Sequence, residues 1–202
     1  VLIAGEELRY LVLPQDQFGN PISTSEDGVC TFELIPNENR SSLLLMANDT
    51  GTGSYALTVS PILATAYTVH VKLGRENVAN SGFILNVIPA MAAASQTTVQ
   101  TSLGGVTCIK LSVCDVFGVG VTRLFRVIAA DIFGNTRVDP SGNVRVSIAG
   151  GASFFAEFDV VSGTYEFSVT STAMGCHNVN VSWAPASARP LPPSPLGTAS
   201  MI

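Results

Sequence analysis

His70 and His177 are the only two histidines in the 202 residues, and histidine is the side chain most often enlisted as a general base or metal ligand. His70 stands between Val69 and Val71 on the outward parity of an alternating run, which predicts an exposed structural residue. His177 takes an inward aromatic place and predicts a hydrogen-bonded core residue. Neither is spaced from the cysteines as in a zinc site. No local sequence sets a histidine between the two partners a nucleophilic triad needs. No Gly-rich loop joins a strand to a helix, so a phosphate cradle has no support. The residues point to no enzyme and to no metal, cofactor or prosthetic group.

Asp16 and Asp131 offer hard oxygen ligands, and Asn48 to Ser54 superficially resembles a calcium loop. A calcium ion wants six to eight oxygens from several acidic residues. Glu26 and Asp27 are the next acids along from Asp16, and only Asp139 lies near Asp131, so both aspartates read as turn formers whose carboxylates bond their own backbone. The 48–54 stretch, with one acid and two glycines, reads as a hairpin turn. Four cysteines allow three full pairings. Cys30 shares a strand face with Phe32 and Leu34 and reads as a small buried hydrophobe. Cys108, Cys114 and Cys176 can form one bridge and leave one thiol over in an oxidising compartment, and all stay free in a reducing one. Asn39, Asn48 and Asn180 each begin an N-glycosylation sequon, a number that composition alone accounts for.

The elements that position these residues are strands. Asp16-Gln17-Phe18-Gly19-Asn20 recurs as Asp131-Ile132-Phe133-Gly134-Asn135, each copy ending an alternating apolar run. Gly53-Ser54-Tyr55 recurs as Gly163-Thr164-Tyr165, and Ser81-Gly82-Phe83 is echoed by Ser194-Pro195-Leu196, all at nearly one offset. A repeat of this kind means two copies of one module. Alternation predicts strands at 8–13, 29–35, 43–47, 55–59, 67–73 and 83–88, broken by Gly, Pro and Asn turns, which is the pattern of a β-sandwich. The fold class is all-β, two tandem immunoglobulin-like sandwiches: 1–89, a linker at 90–94, and 95–202 with an apolar insert at 103–120. In the first copy the opening strand is either upstream or the short Val1-Leu2-Ile3, and in the second Leu196 to Ile202 is expected to be the closing strand. Trp183 shares a parity with Val179 and Val181 and is expected in the second core. The insert residues Val106, Ile109, Leu111, Val113 and Phe117 are too apolar for a solvated loop and predict an interface.

Composition narrows the partners. The chain is 47% apolar and 12% charged with net charge −5, and its only lysines are Lys72 and Lys110. Without a basic stripe, nucleic acid and anionic membranes are not expected partners. No run approaches the roughly 18 uncharged apolar residues of a membrane helix. Without an initiator methionine, the chain reads as an excerpt of a longer protein.

The motif order resembles the filamin-type immunoglobulin-like repeat over nearly the whole chain. The matches are Asp16 to Pro21, Gly51 to Tyr55, Ala64 to Gly74 and Ser81 to Val87 in the first copy. In the second they are Asp131 to Asn135, Gly163 to Tyr165, His177 to Trp183 and Ser194 to Ile202. Thr65 and Gly82 depart from the family's Gly and Pro, and the second copy's last loop is long and proline-rich. The resemblance implies a scaffold or spacer in a filamentous, cytoskeletal or ciliary assembly. It also implies partners among other proteins or neighbouring repeats, taken up as an added strand. The matching edges would carry Val29, Thr31, Glu33, Leu43 and Leu45 in the first copy, and Val144, Val146 and Ile148 in the second. The alternatives are an extracellular adhesion or filament module and, behind it, a carbohydrate-binding sandwich.

Overall fold

Alternating apolar and polar residues give a strand one face for a core and one for water, and this chain uses the device throughout. In the computed structural model every helix-or-strand element among the described residues is a β-strand. Those residues are 1–16, 18–21, 28–38, 40–101, 112–117, 119–138, 142–148, 153–171, 175–184 and 198–201. They fall into two units, Val1–Ala90 and Met91–Ile202.

The first unit contains β1 (Leu2–Ile3), β2 (Leu8–Val12), β3 (Cys30–Pro36), β4 (Leu43–Met46), β5 (Asn48–Asp49), β6 (Tyr55–Val59), β7 (Ala66–Leu73), β8 (Glu76–Asn77) and β9 (Phe83–Ile88). One sheet runs β1-β9-β7-β3-β4 with β8 folded back on β7, and the other runs β2-β6-β5. Phe32, Leu34, Val69 and Val71 from the first sheet share a core with Tyr55, Leu57 and Val59 from the second. The inward parity expected of β3 and β7 is the one seen: Cys30, Phe32, Leu34, Tyr67, Val69 and Val71 are all buried.

The second unit contains β10 (Thr98–Thr101), β11 (Ser112–Phe117), β12 (Thr122–Ile128), β13 (Asn143–Ile148), β14 (Ser153–Phe155), β15 (Glu157–Asp159), β16 (Thr164–Ser171), β17 (Gly175–Ala184) and β18 (Thr198–Met201). Its sheets run β10-β12-β16-β15, with β18 also beside β16, and β11-β17-β13-β14. The core is centred on Phe125, Val127, Val146, Phe167, Val169 and Val179. Phe125 and Phe167 stack at 4.9 Å.

The sequence repeat is a structural one. Asp16 Oδ1 accepts the N–H of Phe18 at 2.8 Å and of Asn20 at 2.9 Å, and its Oδ2 accepts the Asn20 amide. Asp131 does the same for Phe133 and Asn135. Gly19 and Gly134 both sit at φ +85°, a conformation that favours glycine. Tyr55 donates its hydroxyl to the Gly28 carbonyl at 2.9 Å, and Tyr165 donates to the Gly142 carbonyl at 2.9 Å. Each tyrosine thereby ties the lead-in of β3 or β13 to the opposite sheet.

Four sequence expectations are corrected. Leu196 to Ile202 does not close the second unit as β9 closes the first: β18 pairs in parallel with Ser168–Ser171 of β16. The place beside β17 is taken by β11, so part of the apolar insert is a strand of the sandwich rather than a surface appendage. The reason lies in backbone pairing: β11 pairs from Ser112↔Asn180 to Phe117↔Gly175, a longer ladder than the Ser168↔Thr198 to Ser171↔Met201 run of β18. Residues expected in a linker are bonded into the second unit, with Ala92 bridged to Asp131 and Ala93 N–H donating to the Ala130 carbonyl at 2.8 Å. Trp183, expected in the core, is only partly buried. It lies opposite Val144 near the end of β17, edge-on to Tyr165 at 5.6 Å. Gly142 makes room for it, since a Cβ there would collide with the indole.

Candidate partner-binding face

In an antiparallel sheet with one solvated face, strands should be polar on the outside. β4 and β9 are not. Leu43-Leu44-Leu45-Met46 and Phe83-Ile84-Leu85 are apolar on both parities. On the core side Leu45 lies opposite Phe32, and on the outer side Leu44 and Met46 lie opposite Glu33 and Thr31. Leu44 and Met46 are each 66% exposed. The outer face continues across β3, β7 and β9, where Ile35 pairs with Thr68 and Thr68 with Ile84. Ile88, and Ile3 paired with it from β1, extend it. Ile3, Ile35, Leu44, Met46, Ile84 and Ile88 are all exposed. Scattered exposed hydrophobics need no explanation, but a set gathered on one sheet face marks an interaction surface.

β4 is also an edge. Among the described residues it pairs with β3 alone. Natural edge strands are usually blunted by charge or proline, and β4 carries neither. Its outward N–H and C=O groups are a template for another strand, and its side chains supply apolar contact on both faces. Glu33 next to it accepts a hydrogen bond from the Ser42 hydroxyl at 3.1 Å, and with Thr31, His70 and Lys72 it makes a polar strip on this face between β4 and Ile84.

The residues singled out from the sequence divide between edge, interior and undescribed chain. Leu43 and Leu45 are on the edge strand β4. Val29 is exposed just before β3. Thr31 and Glu33 face outward on β3, but that strand is interior, held by β7 on one side and β4 on the other. Val144, Val146 and Ile148 are not at an edge: they are buried on β13, which lies between β17 and β14. The alternation that suggested an edge is the inward parity of a central strand. Val106, Cys108, Ile109 and Leu111 lie outside the described residues, while Val113, Cys114 and Phe117 are on β11. Cys114 is paired with Asn178 and Val116 with Cys176, so those two cysteines are offset along the ladder rather than opposed. Asn48 and Asn180 are exposed, and Asn39 lies outside the described residues. His70 is half-buried on the outer face of β7, opposite Glu33.

The Asn20 side chain, with the backbone donors of its turn, holds the Asp16 carboxyl below the usual carboxylate range. Burial pushes the Cys30 thiol up, which keeps it protonated and unreactive. Among the described residues no group of three or more His, Cys, Asp or Glu is placed to hold a metal ion. No helix among them is long and apolar enough to cross a membrane. The residues missed from the sequence are Leu44 and Met46 on β4, and Ile3, Ile35, Ile84 and Ile88. Their signal was apolar runs without alternation, in strands whose outer face should be wet.

No family model matches the chain, and no curated protein matches it by sequence. Among solved structures it is similar to FdeC, an Escherichia coli adhesin, with a TM-score of 0.50 and 17% identity over 89% of this chain. The chain spans 52% of that structure's length. A DUF3823 family protein from Bacteroides ovatus also aligns over 89% of the chain, with a TM-score of 0.25 and 12% identity. The first likeness shows an all-β, immunoglobulin-like fold.

Proposed function

We propose that the chain is a non-enzymatic pair of immunoglobulin-like modules of an adhesive, cell-surface protein, and that it docks protein partners on the outer face and free edge of the β4 sheet. The observation that carries this reading is the uncharged edge strand Leu43–Met46, with Leu44 and Met46 exposed on the same sheet face as Ile35 and Ile84. The likeness to an adhesin supports a cell-surface setting over the cytoskeletal or ciliary one that the filamin-type resemblance implies. That resemblance stays in the reading as the source of the docking mode, strand addition at an open edge. It would use the first unit, because the second unit's outer strand in the matching sheet, Ser153–Phe155, is shorter.

Beads coated with the chain are expected to adhere to a cell monolayer or to one another. The double variant Leu44→Lys/Met46→Lys should lower adhesion about tenfold or more, since burying charge at the contact forfeits at least ~1.4 kcal/mol. Val161→Lys, in a turn of the second unit, should leave adhesion unchanged, because Val161 is exposed and off this face. Equal adhesion by the double variant and the parent would sink the proposal.

A further inference from the structure

The outer face of the β4 sheet is apolar at its flanks and polar along its middle, and the polar strip holds a side chain that can change charge. Thr31 lies opposite both Met46 and Lys72, and Glu33 lies opposite both Leu44 and His70. Two neighbouring rungs therefore read Met46-Thr31-Lys72 and Leu44-Glu33-His70. On the rung beyond, Ile35 lies opposite Thr68, and Thr68 opposite Ile84. A partner that reaches from β4 to Ile84 has to cover the strip.

His70 sits low in this face. It is half-buried, as is Glu33, whereas Leu44, Met46 and Ile84 on the flanks are exposed. The imidazole lies against Gly82, where an added Cβ would stand 3.6 Å from Cε1 and 3.8 Å from Nδ1. Gly82 is held at φ +86°, which favours glycine, so the chain entering β9 sets backbone rather than a side chain beside the ring. The groups around His70 come from five strands. β3 brings Glu33, whose carboxylate accepts the Ser42 hydroxyl at 3.1 Å. β7 itself brings Lys72, two residues on and exposed. β4 brings Leu44, and the β9 side brings Gly82 and Ile84, none of which titrates. β8 sets Asn77 opposite Lys72, and its Glu76 opposite Leu73 on the core parity.

With a neutral imidazole, the two rungs carry one negative and one positive charge, Glu33 and Lys72, which balance. Histidine takes up a proton as the pH falls from about 7 to about 5. The rungs then carry a net positive charge in the middle of the area that a docked partner removes from water. Glu33 is the one acid on these rungs, and it cannot balance both cations. Taking an unmatched charge out of water is costly. The same apolar flanks therefore bind a partner less well in acid.

We propose that docking on this face is pH-sensitive and that His70 is the sensor: the face holds its partner while the imidazole is neutral and releases it on protonation. This inference rests on the docking reading above and gives that site its regulation.

The test repeats the adhesion of chain-coated beads to a cell monolayer at about pH 7.5 and about pH 5.5, on either side of the histidine range. The parent chain is expected to lose adhesion about tenfold in acid. His70→Gln cannot charge, so the ratio of its adhesion at the two pH values should fall to about one. His70→Lys is charged throughout, so its ratio should also be about one, with adhesion as low as that of the parent in acid. Slow amide exchange at Phe32 and Val69 in each variant confirms an intact first core, and either variant decides if the other fails to fold. A parent whose adhesion does not change with pH would overturn the inference. So would an acid loss that persists in His70→Gln, or His70→Lys adhering as well as the parent at the higher pH. If Leu44→Lys/Met46→Lys lowers adhesion while the parent is indifferent to pH, the docking face stands and only its regulation falls. If that double variant adheres like the parent, the docking reading fails and the inference falls with it.

Discussion

Phe125→Ala is expected to destabilise the second unit by about 3–5 kcal/mol, the range for truncating a large buried aromatic side chain. Phe125 is fully buried and stacked 4.9 Å from Phe167, so its removal opens a cavity between the two sheets that neighbouring β-branched side chains cannot fill. Domains of this size have only about 5–15 kcal/mol in total, so the loss should be plain in any unfolding curve. The chain carries one tryptophan, Trp183, packed on Tyr165 in this unit, so its fluorescence reports the second unit selectively. The midpoint followed by that signal should fall sharply, while amide exchange at Phe32 and Val69 in the first core stays slow. An unchanged fluorescence midpoint would mean that the second core is assigned wrongly.

Asp131→Ala should cost about 3 kcal/mol, and the same change at Asp16 about 1 kcal/mol. The two turns share three bonds, with each carboxylate accepting two backbone N–H groups and one asparagine amide. They differ in burial. Asp131 is inaccessible, so its orphaned donors have no water to turn to, whereas those around Asp16 do. Urea unfolding of the two single variants tests this. Equal losses would show that the covering segment at Ala92 does not seal the second turn.

Much of the architecture is legible in the sequence because it is local. The Asp-x-Phe-Gly-Asn turns declare themselves through residue chemistry, and the parity of β3 and β7 follows from strict alternation. Strand neighbours are not local. Nothing in Ser112–Phe117 says that it will lie beside β17, or in Thr198–Met201 that it will lie beside β16, since either segment can present an alternating face. The docking face was half legible. Leu43 and Leu45 were visible as candidate edge residues, but the outer row Ile35, Ile84 and Ile88 needed the register that brings three strands side by side. Val144, Val146 and Ile148 show the converse error: an apolar alternation marks a core face equally well in an edge strand and in a central one.

The most direct measurement is hydrogen exchange of the chain free and bound to the surface it adheres to. Backbone amides of Leu43–Ala47 should slow by about tenfold or more on binding, as they would when a free edge gains a paired strand. Amides in the buried strand Asn143–Ile148 should not change. Binding that leaves 43–47 exchanging as fast as in the free chain would contradict a docking role for this edge.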